Sequence, residues 1–485
     1  MVNVLNVRLH IVSPVHIGCG DVYEPTSFVI DERRQKLIEF DPIDFIRSLS
    51  ATDRERFTAI CMEGTISSIV DLYRFVSGRP IKGREVEIAS GLPAHYKEMR
   101  ALNSRNEAYV KREINQFTIS RTAFNPYTKL AYIPGSSLKG ALRTAYLSKL
   151  AKDAGIREWG KTRGAKAAEL EKILLGGTFA SDPFRMVKSS DLLPVRSATA
   201  KVVYAVNKKK KMSKFEARGP FQIVEAITDG TRFEGVINIQ EPERLAGIKK
   251  PITAEGLLKA VHDFYMPLMI QESKITDEVG TGNPVAKMID EEFRDRLGKS
   301  AFLVRIGRHS GAEAVTIEGN RNIKIMQGGG APDKYLDHAT TIWLASETSK
   351  PTVNSGLVPF GWAVLEVVDK LTESAAGRET DAEHHHLNSP ALERASIADV
   401  HEATLPETDP ADSLMKKLLR DVARCRGPQD KHVLVRAFDE AKALPPAKRL
   451  EFLQKVEESL PAAMKANAKI KAFLQEQRQA FEAAQ

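Results

Sequence analysis

The stretch of residues 132–147 is the part of this sequence that most constrains the fold. Its first, apolar segment ends at Pro134 and Gly135, which both interrupt regular structure. Apolar residues then recur at the helical positions i, i+3, i+4, i+7 and i+8, which are Leu138, Ala141, Leu142, Ala145 and Tyr146. The pattern predicts a strand, a glycine turn and a helix with one face on a core, and either Ser136 or Ser137 is expected to supply the N-cap oxygen.

The start of this helix also has the composition of a phosphate-binding site. Lys139 and Arg143 lie four residues apart and away from the apolar face, and Gly140 has no side chain to keep a polymer backbone at a distance. The unpaired amides of a helix start attract anions. We therefore expect phosphate contacts from Gly135, Ser136, Ser137, Lys139, Gly140 and Arg143. An ordinary capped helix with solvated cations is the alternative.

A nucleotide-binding P-loop is excluded at the same place. Gly135 and Gly140 have its glycine spacing, but a P-loop continues with Lys and then Ser or Thr, which reach the terminal phosphates and magnesium. This chain has Ala141 and Leu142 at those positions. We therefore expect no nucleotide cofactor.

Composition narrows the function classes without choosing among them. The 485 residues carry a net charge of +8, from 71 cations against 63 anions, which is compatible with RNA but does not require it. The three cysteines are far apart in the sequence, which argues against a disulfide framework or zinc site and for a reducing cytoplasm. The N-terminus lacks the pattern of a signal peptide and no apolar run reaches about 18 residues, so we expect neither secretion nor a membrane span.

Apolar alternation predicts strands on both sides of the central stretch. Val7, Leu9 and Ile11 alternate with polar residues, which is typical of a half-buried strand. The clearest predicted hairpin runs from Phe221–Ile227 through Asp229-Gly230 to Arg232–Ile239. Helical patterns around 253–273 and 284–297 and further strand patterns follow. The chain is therefore expected to be α+β, with a second sheet domain of the same kind as the first.

Two histidines in glycine-rich loops leave RNA cleavage open. His16 lies beside Gly18 and Gly20, and His309 follows Arg308; histidine titrates near neutral pH and can act as a general acid or base. Spacing in the sequence does not bring the two imidazoles together. The alternative, in which these histidines stabilise turns or stack on a base, fits the surrounding residues better.

Five segments in chain order resemble the RAMP superfamily, the RNA-binding proteins of CRISPR effector complexes. They are Ser13–Gly20, Ile133–Gly140 with Arg143, Asp182–Arg185, Arg305–Gly307 and Pro359–Trp362. The resemblance covers most of residues 1–370, and within the superfamily it is to the subunits that cap the crRNA-backbone filament of type III-A Csm complexes. It implies a ferredoxin-like, RRM-like fold, in which helices back a four-stranded antiparallel sheet.

The resemblance covers the two sheet regions, and composition and helical patterns divide the chain after residue 370. We expect an N-terminal RAMP domain with helical insertions at 1–240, a second RRM-like region at 241–370, a disordered linker at 371–409 and a helical bundle at 410–485. The further expected RNA contacts lie in loops or at strand ends: His16, Gly18, Gly20, Arg121, Phe184, Arg185, Lys208, Lys209, Lys210, Lys211, Arg308 and His309. Phe184 is equally compatible with a core position, and the four lysines with a solvated loop.

The bundle is expected to contact protein, since Leu414, Leu418, Val422, Leu450 and Leu453 form apolar stripes that lack an evident partner. His384–His386, in the predicted linker, is expected to be solvated rather than to bind a metal.

The resemblance implies a non-catalytic crRNA-binding subunit without metal or cofactor. Its implied partners are crRNA, target RNA, other Csm subunits of the filament and crRNA-maturation nucleases. A RAMP-type endoribonuclease that processes CRISPR RNA is the alternative, and a scaffold that contacts only protein is a third class.

Overall fold

The computed structural model describes residues 2–103, 106–159, 166–211, 219–243, 247–326, 334–372, 414–415, 418–419, 422, 427 and 430–482. The chain divides into two compact units, 1–388 and 389–485. Of the predicted linker only residues 371–372 are described. His384–His386 lie outside the described residues.

Among the described residues, all of the strands lie in the first unit. They are β1 Val2–Ile11, β2 Gly18–Val22, β3 Phe28–Asp31, β4 Lys36–Glu39, β5 Arg84–Ile88, β6 Ile119–Thr122, β7 Val187–Ser189, β8 Leu193–Pro194, β9 Ala200–Lys209, β10 Gln222–Ile227, β11 Arg232–Gln240, β12 Ala301–Arg305, β13 Ile323–Ile325, β14 Lys334–Leu336, β15 Thr341–Ser346, β16 Val358–Pro359 and β17 Trp362–Val368.

The α-helices with described bounds lie in both units. Those of the first unit are α1 Pro42–Ser48, α2 Ala51–Glu63, α3 Ile66–Val76, α4 Leu92–Ala101, α5 Glu107–Gln116, α6 Gly135–Asp153, α7 Ala167–Leu175, α8 Ala254–Glu278 and α9 Pro284–Phe293. Those of the second unit are α10 Lys431–Ala441, α11 Pro446–Ser459, α12 Ala462–Ala466 and α13 Ala468–Glu482.

The first sheet has the strand order β12-β17-β1-β11-β7, and β8 also pairs with β11. The alternation that predicted β1 is confirmed: Val7, Leu9 and Ile11 are at most 1% exposed. Helices α6 and α8 add Leu138, Leu142 and Phe264 to the same core, among others. This sheet therefore supports the central helix α6.

The second sheet has the order β2-β6-β10-β9-β5-β4-β3, with β15 paired to β9 and β16 to β15. Its core contains a cluster of aromatic residues, in which the rings of Phe28, Tyr73, Tyr96 and Phe117 form edge-to-face, tilted and stacked contacts. These two sheets and their helices confirm the predicted α+β class.

The predicted hairpin at residues 221–239 is wrong in its pairing, although both of its strands exist. Strand β10 pairs with β6 and β9 in the second sheet, whereas β11 pairs with β1, β7 and β8 in the first. The turn between them crosses from one sheet to the other, with the Gly230 amide donating to the Ile11 carbonyl at 2.9 Å. A turn sequence predicts a change of direction but does not determine the partner strand.

The predicted boundary at residue 240 does not separate two domains. The first sheet combines β1 and β11 with β12 and β17, which follow the boundary, and β15 is added to the second sheet from beyond it. Residues 1–388 therefore form one unit, which contains these two interleaved sheets and a two-stranded sheet of β13 and β14.

The C-terminal unit is a helical bundle, as predicted, but its apolar stripes are not left open. Leu418, Val422 and Leu453 are 1% exposed within the bundle's own core, and Leu414 and Leu450 pack against that core. Phe438 lies between the rings of Phe452 and Phe481. The inference of an unpartnered surface from these five residues is therefore wrong.

Candidate RNA-binding site

The central helix α6 begins at Gly135, and its cap comes from another segment. Neither Ser136 nor Ser137 caps the helix, so that prediction is wrong: Pro134 occupies the N-cap position without a side-chain bond. Instead the Asp191 carboxylate accepts a hydrogen bond from the Gly135 amide at 2.8 Å. The sequence carried no signal for this cap, because Asp191 is brought close only by the fold.

The two glycines of the motif have different environments. A Cβ atom on Gly135 would lie 2.4 Å from the Ser189 carbonyl oxygen and 2.5 Å from that of Ser190, so glycine is required there by chain packing. A Cβ atom on Gly140 would meet no atom within 4 Å, and Gly140 is exposed. Of the two, only Gly140 leaves room for an approaching polymer backbone.

Lys139 forms the cationic part of this open surface together with a residue that the sequence reasoning missed. Burial lowers the pKa of Lys139, and Lys188 and Arg143 lower it further by repulsion. Lys188 lies on β7 and is exposed. Asp182 opposes this shift by attraction, but neither lysine forms an ion pair with a described carboxylate, so the two neighbouring positive charges lack a counter-charge at bonding distance. Lys139, Lys188 and Gly140, with Ser136 and Ser137, are called the helix-start surface below.

Arg143 was predicted to contact phosphate at the helix start, but it does not belong to the helix-start surface. Its guanidinium donates to Asp182 at 2.8 Å and to Glu171 at 3.0 Å, and it lies over the Phe184 ring at 5.2 Å. Two intramolecular carboxylates hold it, and the bonds to Asp182 and Glu171 raise its pKa. Arg143 therefore fastens the 182–185 segment to α6 rather than presenting a free cation to phosphate.

Of the two RNA contacts that were predicted in segment 182–185, one stays a candidate. Phe184 is 1% exposed and packs edge-on against Tyr146 at 5.7 Å, so the prediction that it stacks on a base is wrong. Arg185 is exposed, lies 5.4 Å from the Phe179 ring and donates to the Ala180 carbonyl. It stays a candidate for phosphate contact.

Three other motif segments meet in a second place, called here the glycine-loop cluster: 13–18, 305–309 and 359–362. The Arg308 amide donates to the His16 carbonyl at 2.7 Å, the Gly361 amide to the Pro14 carbonyl at 2.9 Å and the Trp362 amide to the Ser13 hydroxyl at 2.8 Å. Segments that are far apart in the sequence are thus joined by hydrogen bonds from backbone amides.

The glycines of this cluster are required by the fold. Gly307 and Gly361 have φ of +81° and +95°, where side chains are strained. A Cβ atom would lie 2.6 Å from the His16 carbonyl oxygen in the first case and 2.7 Å from that of Ile306 in the second. The predicted contacts Gly18 and Gly20 are exposed at its edge and stay candidates.

A buried ion pair holds the cluster to helix α8. Arg305 donates to Glu272 at 2.5 Å and to the Phe360 carbonyl at 2.9 Å, and the Trp362 indole donates to the other Glu272 oxygen at 2.6 Å. Arg305, Glu272 and Trp362 are all at most 9% exposed. The arginine of this motif therefore has a structural role.

The structure brings His16 and His309 together, which the sequence could not show. Their rings stack with centroids 6.3 Å apart. His16 is 0% exposed and its Nδ1–H donates to the Glu225 carbonyl at 2.7 Å, so the prediction that it contacts RNA is wrong. Burial lowers the pKa of His16, and burial together with His16 and Arg308 lowers the pKa of His309 to about 3. Both imidazoles are therefore neutral at pH 7, and His309 packs on Trp343 at 4.7 Å.

Arg121 and the lysine run also differ from the predictions. Arg121 is 7% exposed, donates to Glu39 at 2.8 Å and stacks over Phe124 at 3.6 Å, so its predicted RNA contact is wrong. Lys208 and Lys209 belong to β9 rather than to a loop beyond it, and Lys210 pairs with Glu313 at 2.5 Å. Lys211 and Arg308 are exposed and stay candidates.

The described ranges contain neither a metal-binding cluster nor a helix that could span a membrane. In this part of the chain, no group of three or more His, Cys, Asp or Glu side chains is arranged to hold a metal ion. Among its helices none combines the length and the apolar character that crossing a membrane requires. Cys19 and Cys61 are free thiols.

Comparisons with known proteins identify the family. The family model of the RAMP superfamily matches residues 8–342. A curated relative, "CRISPR system Cms protein Csm5" of Methanocaldococcus jannaschii, is 22% identical over 415 residues, which are 75% of this chain and 89% of the relative.

Two solved structures are similar over most of their length. One is a chain of the cryo-EM structure of a Csm–crRNA–target RNA ternary complex in a type III-A CRISPR–Cas system, at 17% identity and a TM-score of 0.48, which covers 75% of this chain and 100% of that chain. The other is the crystal structure of T. onnurineus Csm5, at 16% identity and a TM-score of 0.43, which covers 74% and 99%. The match over residues 8–342 contains four of the five motif segments, and Pro359–Trp362 lies beyond it. The match shows that this chain belongs to the RAMP superfamily, and the curated relative shows that it is similar to the fifth Csm subunit.

Proposed function

We propose that this chain is a non-catalytic crRNA-binding subunit of a type III-A Csm effector complex, which caps the backbone filament at the 3′ end of the guide and supports crRNA maturation and antiviral defence. The observation that carries the proposal is the helix-start surface, where Lys139 precedes the open Gly140 and Lys188 is close enough to lower the pKa of Lys139. Neither lysine has a described ion-pair partner. Such a surface attracts a phosphate backbone and does not select bases.

Membership of the RAMP superfamily and the similarity to a Csm5 protein support crRNA, target RNA and neighbouring Csm subunits as the partners of this proposal. The nucleases of crRNA maturation and a cytoplasmic location are further parts of the proposal. The exposed cations Arg185, Lys211 and Arg308 extend the RNA surface beyond the helix start.

The surroundings of the paired histidines support the non-catalytic part of the proposal. A ribonuclease of the two-histidine kind needs one imidazole that donates a proton and one that accepts it. Here the pKa of both rings is lowered, and His16 has no exposed surface from which to reach RNA. The His309 ring instead lies against Trp343 and Phe360, and the His16 ring stacks on that of His309.

Ultraviolet cross-linking of the full-length chain to a single-stranded guide RNA, followed by mass spectrometry of the peptides, tests the RNA surface. We expect cross-links in the peptides that contain residues 136–140 and 185–188. Cross-links confined to other peptides, such as those around the exposed Lys97 and Lys274, would contradict the proposed surface.

The non-catalytic part has its own test. Purified wild-type chain and the variants His16→Ala and His309→Ala are incubated with labelled CRISPR RNA, and the products are resolved on a sequencing gel. We expect no cleavage that depends on either histidine. Specific cleavage by the wild type that both variants lose would establish the endoribonuclease alternative.

A further inference from the structure

A cleft separate from the helix-start surface lies where α5, β6, the start of β10 and Arg308 meet. Its volume is about 580 Å³, which is within the range of roughly 300–1,000 Å³ typical of small-ligand sites. Among the residues that line it are Lys111, Arg308, Phe221, Asn115, Gln116 and Gln222. Sequence reasoning gave no signal for the site, because α5 and β10 are more than a hundred residues apart.

The charges of the cleft have one sign. None of the residues that line it is Asp or Glu. Lys111 and Arg308 are exposed and form no ion pair with a described carboxylate, whereas Arg112, also in the lining, is paired with Glu113. Two uncompensated cations at the wall of a concave site favour an anionic ligand.

Phe221 provides a flat apolar surface in the same cleft. Its ring is held edge-on by Tyr204 at 5.6 Å and by His95 at 5.7 Å, and it is part-buried while it still lines the cleft. A ring that its neighbours hold in place loses little freedom when a second ring stacks on it. The side-chain amides of Asn115, Gln116 and Gln222 supply donors and acceptors beside it.

We propose that this cleft binds one nucleotide of a single-stranded RNA, with its base stacked on Phe221 and its phosphate held by Lys111 and Arg308. The combination of aromatic ring, amides and cations is the chemistry by which proteins bind unpaired nucleotides. The helix-start surface binds the backbone alone, whereas the cleft contacts a base and gives the subunit a position at which RNA sequence matters. The inference rests on the proposed function, since its ligand is RNA.

The test uses the full-length chain and RNA oligonucleotides of one sequence, each with a single 2-aminopurine at a different position. Fluorescence of 2-aminopurine falls when the base stacks. We expect strong quenching at one position with the wild type. Phe221→Leu, which keeps apolar bulk against Tyr204 and His95, should lose that quenching and weaken binding roughly tenfold.

A second variant removes charge without touching the core. Lys111→Gln with Arg308→Gln should weaken binding several-fold and lower the salt dependence. Lys97→Gln with Lys274→Gln, which alters two exposed lysines outside the cleft, is the matched control. Thermal unfolding of every variant verifies that it is folded.

The outcomes separate this inference from the proposed function. The cleft proposal would be overturned if Phe221→Leu kept the quenching and the Lys111/Arg308 variant bound RNA as tightly as the control. The proposed function would stand in that case if RNA binding still depended on Lys139 and Lys188. A wild-type chain that binds none of the RNAs would overturn both.

Discussion

The helix-start surface and the glycine-loop cluster share the same residue types, but the first is open to solvent and the second is held by contacts within the chain. Both combine glycines with cations, and both resemble the RNA-binding segments of one family. In the first, Gly140 is open and Lys139 and Lys188 lack described ion-pair partners. In the second, Gly307 and Gly361 are required by close backbone contacts and Arg305 is held by a buried carboxylate. A shared glycine-and-cation pattern can therefore serve a ligand in one place and the fold in the other.

The largest difference between the two regions should appear on removal of Glu272. Glu272→Ala leaves the buried Arg305 guanidinium without its counter-charge, which typically costs about 3–5 kcal/mol of unfolding free energy. Denaturant unfolding of the variant measures this loss. The matched change Glu278→Ala, at an exposed position of the same helix, should have little effect. Equal stability of the two variants would show that the ion pair does not hold the cluster.

Two glycine substitutions compare the regions directly. Gly307→Ala introduces a Cβ atom 2.6 Å from a carbonyl oxygen at a positive φ, and we expect a loss of roughly 2–4 kcal/mol from the clash and the strained backbone. Gly140→Ala meets open space within a helix and should gain up to about 1 kcal/mol while it weakens RNA binding. Denaturant unfolding and RNA titration measure both effects. A stable Gly307→Ala variant with impaired RNA binding would reverse the assignment.

The histidine pair predicts a pH dependence of stability. Below about pH 6.5 the unfolded chain takes up a proton at His309, whereas the folded chain keeps its imidazole neutral down to about pH 3. The unfolded state binds more protons in this window, so stability falls as the pH falls. Between pH 7 and 5 the contribution of His309 is at most about 2 kcal/mol. His309→Asn tolerates the positive φ and should flatten the profile by this amount; an unchanged profile would contradict the neutral, buried imidazole.

Sequence reasoning predicted local features well and their environments poorly. Alternation located β1, and helical spacing identified the buried face of α6, because burial of apolar residues imposes those periods directly. Pairing partners could not be predicted, as the crossing from β10 to β11 shows, since sheet membership depends on contacts between distant segments.

The same limit applied to the candidate site. Phe184 and Arg121 have the residue types that contact RNA, yet neighbours that only the fold provides bury both of them. Lys188, Phe221 and Lys111 carried no local signal, because each becomes a candidate only where separate elements meet.

The salt dependence of RNA affinity tests most directly whether the helix-start surface binds the phosphate backbone. The full-length wild type, Lys139→Gln with Lys188→Gln, and the control Lys97→Gln with Lys274→Gln are titrated with one single-stranded RNA over a range of salt concentrations. Loss of two phosphate contacts should reduce the slope of log K against log salt by about 1.4, while the control keeps the wild-type slope. A slope for the Lys139/Lys188 variant equal to that of the control would show that the RNA backbone does not lie on this surface.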